Sequence, residues 1–172
     1  MKVIRSKRAL SAYVQRERKK GRSIGLVPTM GCLHAGHASL IARARRENDR
    51  VVVSIFVNPL QFGPREDFAA YPRTEKEDLC LCSRMGADVV YLPAVADIYA
   101  PPFLSSVHVS GITDGLCGAS RPGHFDGVAT VVMKLFQQAR PTRAYFGQKD
   151  YQQLLVIRQF SKDLDLDVKI IS

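Results

Sequence analysis

Hydrophobic and polar positions change period several times along the chain, and each change marks an element. Between residues 5 and 20 the apolar residues Leu10, Tyr13 and Val14 form a stripe among Lys7, Arg8, Arg16, Arg18, Lys19 and Lys20, which predicts an amphipathic helix closed by Gly21. The run Ser23-Ile24-Gly25-Leu26-Val27-Pro28 reads as a buried strand, followed by the loop Thr29 to His34 and a helix from Ala35 to Arg46. Val51 to Val57 is apolar and β-branched without alternation, which marks a strand covered on both faces, as parallel sheets require. A loop rich in turn formers (58–72) leads to a helix from Thr74 to Met85, capped by Gly86, and a strand from Asp88 to Leu92. Residues 93–123, interrupted by Pro93, Pro101, Pro102 and Pro122, read as irregular apart from a strand at Ser106 to Ser110. Phe125 to Arg140 carries the stripe Val128, Val131, Val132, Leu135 and Phe136 and is stopped by Pro141. A strand at Ala144 to Gly147, a helix from Asp150 to Leu164 and a strand at Leu166 to Ile171 complete the chain.

This alternation predicts an α/β fold, a Rossmann-like doubly wound parallel sheet with helices on both faces. Ligands in such sheets sit outside the carboxyl ends of the strands, so function is sought in the loops after Pro28, Val57 and Phe146. A length of 172 residues with 46% hydrophobic content suits one domain, 1–172.

Charge changes the picture only locally. The net charge is +9, and residues 1–50 hold 13 Lys+Arg against 3 Asp+Glu while the remainder is nearly balanced. The excess flanks the apolar stripe of the first helix without aromatic interleaving or a reader motif, so it reads as a solvated helix face, and no nucleic-acid partner is expected. No run approaches the ~20 apolar residues that span a bilayer, and the basic N-terminus leads into an amphipathic segment; a cytoplasmic location without membrane contact is expected. Cys32, Cys80, Cys82 and Cys117 form no C-x-x-C pair and suit free thiols. Cys80 and Cys82, two apart on a helix, point to different faces.

The loop Met30-Gly31-Cys32-Leu33-His34-Ala35-Gly36-His37 carries the strongest candidate chemistry. Unsatisfied N–H groups and the positive end of the dipole make the start of a helix attractive to phosphate. His34 and His37, three apart, lie on one face of its first turn and can aim ring nitrogens at one anion. Zinc held by Cys32, His34 and His37 is the competing reading; it lacks a fourth ligand and the acidic base of an H-E-x-x-H helix. The His-x-Gly-His element alone points to the broad group of nucleotidyltransferases and class I aminoacyl-tRNA synthetases.

Five further strings are more specific: Val27-Pro28-Thr29-Met30-Gly31, Val53-Ser54-Ile55-Phe56-Val57-Asn58-Pro59-Leu60-Gln61-Phe62, Tyr71-Pro72-Arg73-Thr74, Arg121-Pro122-Gly123-His124-Phe125 and Phe146-Gly147-Gln148-Lys149-Asp150-Tyr151-Gln152-Gln153. In order and spacing, from about residue 23 onward, the chain resembles the pantothenate synthetase (pantoate–β-alanine ligase) family. The resemblance implies an ATP-dependent ligase that makes a pantoyl-adenylate and pyrophosphate, then releases AMP as β-alanine attacks. It implies ATP binding by residues Met30 to His37 and Gly147, Gln148, Lys149 and Asp150, with His34 on the phosphates and His37 as proton donor. It also implies pantoate binding by Gln61 and Gln153, β-alanine binding by Gln61, Mg2+ with ligands not assigned, and a homodimer. Another nucleotidyltransferase of the same fold is the alternative; it calls for a basic acceptor-phosphate pocket, against which the two glutamines argue.

Two positions depart from the family pattern. Cys32 stands where relatives often carry Asn or another small residue, and Cys117 where they often carry Glu, which is expected to weaken an interaction with Arg121. Asp150 is also expected to cap the last helix. Relatives continue into a Ser-Ser-Arg segment and a C-terminal domain that close the ATP site, so these 172 residues are expected to bind substrates weakly and to lack normal turnover.

Overall fold

The computed structural model describes every residue except 64 and 65, so the loop expected over 58–72 is seen on either side of that pair. Among the described residues six strands form one sheet: β1 (Lys2–Ile4), β2 (Ile24–Thr29), β3 (Arg50–Ile55), β4 (Val89–Tyr91), β5 (Arg143–Tyr145) and β6 (Lys169–Ile171). Their order is β1-β4-β3-β2-β5-β6, and every pairing is parallel. The connecting helices are α1 (Lys7–Lys19), α2 (Ala35–Glu47), α3 (Glu75–Arg84), the single turns α4 (Val95–Ile98) and α5 (Cys117–Ser120), α6 (His124–Ala139) and α7 (Tyr151–Asp163). This is the doubly wound α/β fold that the alternation predicts.

The unbroken apolar runs have a direct cause. Strand side chains point alternately to the two faces, and both faces are covered. Ile24, Leu26, Val52, Val89, Tyr91 and Ala144 join one core with Leu10 and Val14 of α1, the stripe of α6, and Leu154, Ile157 and Phe160 of α7. Val27, Val51, Val53, Ile55, Val90 and Tyr145 join a second core with Ile41 and Ala44 of α2 and Cys82 of α3. Burial pushes the Cys82 thiol up to about 12, so it behaves as a small hydrophobe.

Two differences from the sequence reading share one explanation. Lys2–Ile4, too short to signal a strand, pairs with Val89–Tyr91 at the sheet edge. Ser106 to Ser110, expected as a strand, is not one: the edge beside β4 is already taken by β1, and the Val107 N–H donates to the Thr130 hydroxyl instead, at 2.9 Å. Sheet position, set by distant pairing, overrides local propensity in both places.

Part of the N-terminal charge is consumed internally. Glu17 of α1 is only 3% exposed, and its carboxylate accepts hydrogen bonds from Arg22, Arg50 and Arg16. Arg50 also reaches Asp88, as does Arg45. Hydrogen bonds from Arg22 and then Arg50 hold the Glu17 carboxyl down at about 2.

The turn after β2 is the one place where the backbone bends hard. Gly31 (φ +88°) and Cys32 (φ +52°) are left-handed in succession, a conformation that glycine and asparagine adopt far more readily than cysteine. The carboxylate of Asp78, buried on α3, accepts the Cys32 N–H at 3.0 Å and the Leu33 N–H at 2.7 Å. Thr29 adds a hydroxyl hydrogen bond to the Ser54 carbonyl at 2.8 Å.

Two outcomes follow for stability. Glu17→Gln leaves three arginines around a neutral group and is expected to destabilise the fold by about 3 kcal/mol in urea titrations at pH 7. Because the folded carboxyl lies below its ordinary 4.5, the wild type gains stability from it above that value and loses it as pH falls toward 2. The Gln variant should lack this component of the acid dependence; identical acid profiles would contradict the account. Cys32→Asn, in contrast, relieves left-handed strain and should raise the urea midpoint by an amount equivalent to about 1 kcal/mol.

Candidate functional site

Strand order reverses at β2, whose two neighbours are β3 and β5. Loops leaving the carboxyl ends of β2 and β5 diverge there, and a cleft of about 830 Å³ opens between them. Met30, Gly31, Cys32, His34, Gly36 and His37 line one side, Gly147, Gln148, Lys149, Asp150 and Gln153 the other, and Gln61, which follows β3, also lines the cleft beside Met30. Phe56, Val128, Val131, Val132 and Leu135 form an apolar wall, and Arg43 and Arg46 lie farther along α2. Two residues of the expected nucleotide loop fall outside the lining. Leu33 turns away to pack against the second core, and Ala35, the first residue of α2, is exposed beside the cleft.

His34 is the N-cap of α2, and its Nδ1 accepts the Gly36 N–H at 3.1 Å. His37, at the third helical position, returns the arrangement: its Nδ1 accepts the His34 N–H at 3.3 Å. The ring centroids are 4.2 Å apart. A side chain on Gly36 would meet the His34 ring at 2.9 Å, so glycine is what lets that imidazole lie against the start of the helix. With Nδ1 used as an acceptor, a neutral imidazole carries its proton on Nε2, which makes each ring a donor at its outer nitrogen. Burial, then the neighbouring His34, lowers the His37 pKa below its ordinary 6.5, so His37 is neutral at pH 7.

Gln61 closes a single 3-10 turn (Pro59–Gln61) that follows β3. Its side-chain Oε1 accepts from Asn58 Nδ2 at 3.1 Å, and its Nε2 lies 3.0 Å from the Met30 sulfur. Asn58 is itself buried, donating to the Gly127 carbonyl at 3.0 Å and accepting from the Tyr99 hydroxyl at 2.8 Å. The turn rests directly on α6, where any side chain at Gly127 would collide with the Leu60 carbonyl. Gln153 faces the cleft from α7, and the adjacent Gln152 holds the neighbouring loop by donating to the Ile112 and Gly115 carbonyls.

One expectation is corrected here. Asp150 occupies the N-cap position of α7 but makes no side-chain cap bond, because the helix continues from the 3-10 turn Gln148–Asp150; its carboxylate is left lining the cleft. Arg121 donates from Nε and Nη2 to Glu66 at 2.6 and 2.9 Å, and this holds the Glu66 carboxyl at about 2. Among the described residues no three His, Cys, Asp or Glu side chains are placed to hold a metal ion, so Cys32, His34 and His37 do not make a zinc site. No helix among them is long and apolar enough to cross a membrane.

The sequence reading missed Asp78 and Asn58. Asp78 lies within Glu75-Lys76-Glu77-Asp78, which passes for a solvated helix start; its signal is its place four residues before the buried Cys82, on the inward face. Asn58 passes for a turn former after a strand, and nothing in the sequence reveals its contacts with α6 and Tyr99.

Comparison with known proteins identifies the family and the fold. Residues 2–172 match the family described as Pantoate-beta-alanine ligase. A pantothenate synthetase from Moorella thermoacetica is 54% identical over 172 residues, covering 100% of this chain and 61% of the relative, and one from Paramagnetospirillum magneticum is 56% identical over 168 residues, covering 98% and 59%. The solved pantothenate synthetase of Thermus thermophilus superposes with a TM-score of 0.94 at 49% identity, over 99% of this chain and 60% of that one. A Francisella tularensis pantoate-beta-alanine ligase, complexed with beta-gamma ATP and beta-alanine, gives a TM-score of 0.94 at 42% identity, over 99% and 66%. The chain thus spans about 60% of the length of the curated relatives it matches. On sequence and fold together, the chain belongs to the pantoate–β-alanine ligase family.

Proposed function

We propose that this chain is the ATP- and pantoate-binding part of a ligase that condenses pantoate with β-alanine. The observation that carries the reading is the convergence, in one cleft, of two imidazole donors at a helix N-terminus, two glutamine amides and an apolar wall. A polyphosphate suits the first, a small hydroxy acid the second, and the geminal methyl groups of pantoate the third. The complexed Francisella tularensis relative supports ATP and β-alanine as ligands.

In the first step a pantoate carboxylate oxygen attacks the α-phosphorus, the bond to the bridging oxygen breaks, and pyrophosphate leaves with that electron pair. His34 and His37 donate from Nε2 to oxygens that gain charge as this occurs, and Lys149 adds a point charge from the facing loop. Gln61 and Gln153 orient the hydroxy acid so that its carboxylate meets the phosphorus in line. In the second step the β-alanine amine attacks the acyl carbon beside Gln61, and AMP departs. Mg2+ would reach the cleft on the nucleotide phosphates, where it would offset their charge.

Calorimetric titration of the 172-residue chain tests this reading. Pantoate should bind, while lactate and acetate should not. Gln61→Ala and Gln153→Ala should each weaken pantoate about tenfold and leave ATP within about threefold, whereas His37→Ala should weaken ATP about tenfold and leave pantoate nearly unchanged. Absence of pantoate binding by the wild type would sink the reading. Mixed with ATP, pantoate and β-alanine, the chain should form pantothenate no faster than background, since the relatives' remaining length is proposed to complete the ATP site.

A further inference from the structure

The string Arg121-Pro122-Gly123-His124-Phe125 is distinctive in the sequence yet contributes no side chain to the cleft lining. His124 nevertheless touches the machinery. It begins α6, is buried, and its Nδ1 lies 2.9 Å from the backbone carbonyl of Gln61. Its Nε2 lies 3.3 Å from Nη1 of Arg121, whose Nη2 donates to the same carbonyl at 3.3 Å. A carbonyl only accepts and a guanidinium only donates, so one protonation state satisfies both contacts: a neutral ring with its proton on Nδ1.

We propose that His124 is a positioning residue for Gln61, fixing the backbone of the 3-10 turn from below so that the Gln61 amide is held at the substrate. The proposal rests on the reading of the cleft as a pantoate site. Both ends of the turn are then pinned. Asn58 holds it through the Gly127 carbonyl, and His124 holds it through the Gln61 carbonyl. A second proton on His124 would place an N–H against the Arg121 guanidinium and undo the clamp. The charged groups facing the ring are Arg121 from the preceding turn, Glu66 from the loop after the 3-10 turn and Asp150 before α7. Burial, the largest influence, lowers the His124 pKa below its ordinary 6.5, which keeps the ring neutral at pH 7.

The test uses calorimetry with pantoate and with ATP, together with imidazole nitrogen NMR, on the wild type and two variants. His124→Phe keeps a ring against Phe125 but removes both nitrogens; His124→Asn keeps a donor near the Nδ1 position and cannot titrate. Wild type should show a Nδ1-protonated ring at pH 7. His124→Phe should weaken pantoate at least tenfold with ATP within about twofold, and His124→Asn should retain pantoate within about threefold. The wild type should lose pantoate affinity as pH falls below the ordinary imidazole range, by more than His124→Asn does. A Nε2-protonated ring, full pantoate affinity in His124→Phe, or equal losses for pantoate and ATP would each overturn the positioning role. Wild type that binds no pantoate yet shows the Nδ1 tautomer would overturn the pantoate reading of the cleft, and the proposal with it, while leaving the clamp geometry standing.

Discussion

The turn that carries the two histidines is held by one buried carboxylate. The chain leaving β2 must turn sharply to start α2 at the sheet edge, and two left-handed residues in succession achieve this. Such a turn directs backbone N–H groups inward, where an unpaired donor would be costly. Asp78 accepts two of them from a helix on the same side of the sheet, so the second core and the loop are fixed as one unit. Without that pairing the histidines would ride on a loose connection. With it, His34 caps α2 in a defined geometry, and His37 follows one turn later.

The cleft is a product of topology before it is one of side chains. Loops after β2 and β5 separate because the strand order reverses between them, and no residue needs to be removed to make room. Helix α6 then serves two purposes. Its face of Val128, Val131, Val132 and Leu135 belongs to the first core and also forms the apolar wall. Its first turn supports the 3-10 turn through His124 and Gly127. A shift of α6 would therefore move the wall and Gln61 together, which ties ligand geometry to the packing of the main core.

How much of this was legible in the sequence follows from the range of each interaction. The strands β2 to β6 announce themselves as short apolar runs, because both sheet faces are covered, and the long helices by their period, because they are amphipathic. The edge strand Lys2–Ile4 and the non-strand at Ser106 to Ser110 do not, since competition for one sheet edge decides both. At the site, His34, His37, Gln61 and Gln153 could be named from motif order, and the structure puts all four around one cleft. Leu33 and Ala35 lie within the same string but face elsewhere, because a motif fixes spacing and not direction. Asp78, Asn58 and Glu66 stayed hidden: their partners are 46, 69 and 55 residues away, beyond what local pattern can express.

Several polar groups around the cleft are fixed through bonds that involve the backbone. His34 and His37 accept backbone N–H groups, Gln61 is gripped at its own carbonyl, and Asn58 is tied to the Gly127 carbonyl. Backbone partners on packed helices move little, so the donors lose little conformational freedom when a ligand arrives. Lys149, within the 3-10 turn Gln148–Asp150, is the contrast, an exposed charge on the facing side of the cleft. Part of the N-terminal charge excess is likewise fixed internally. Arg16, Arg22 and Arg50 converge on the buried Glu17 at the opposite end of β3 from the cleft, where they join α1 to the sheet. Part of the basic composition here therefore reflects how a helix is fastened, while Arg43 and Arg46 lie along the cleft itself.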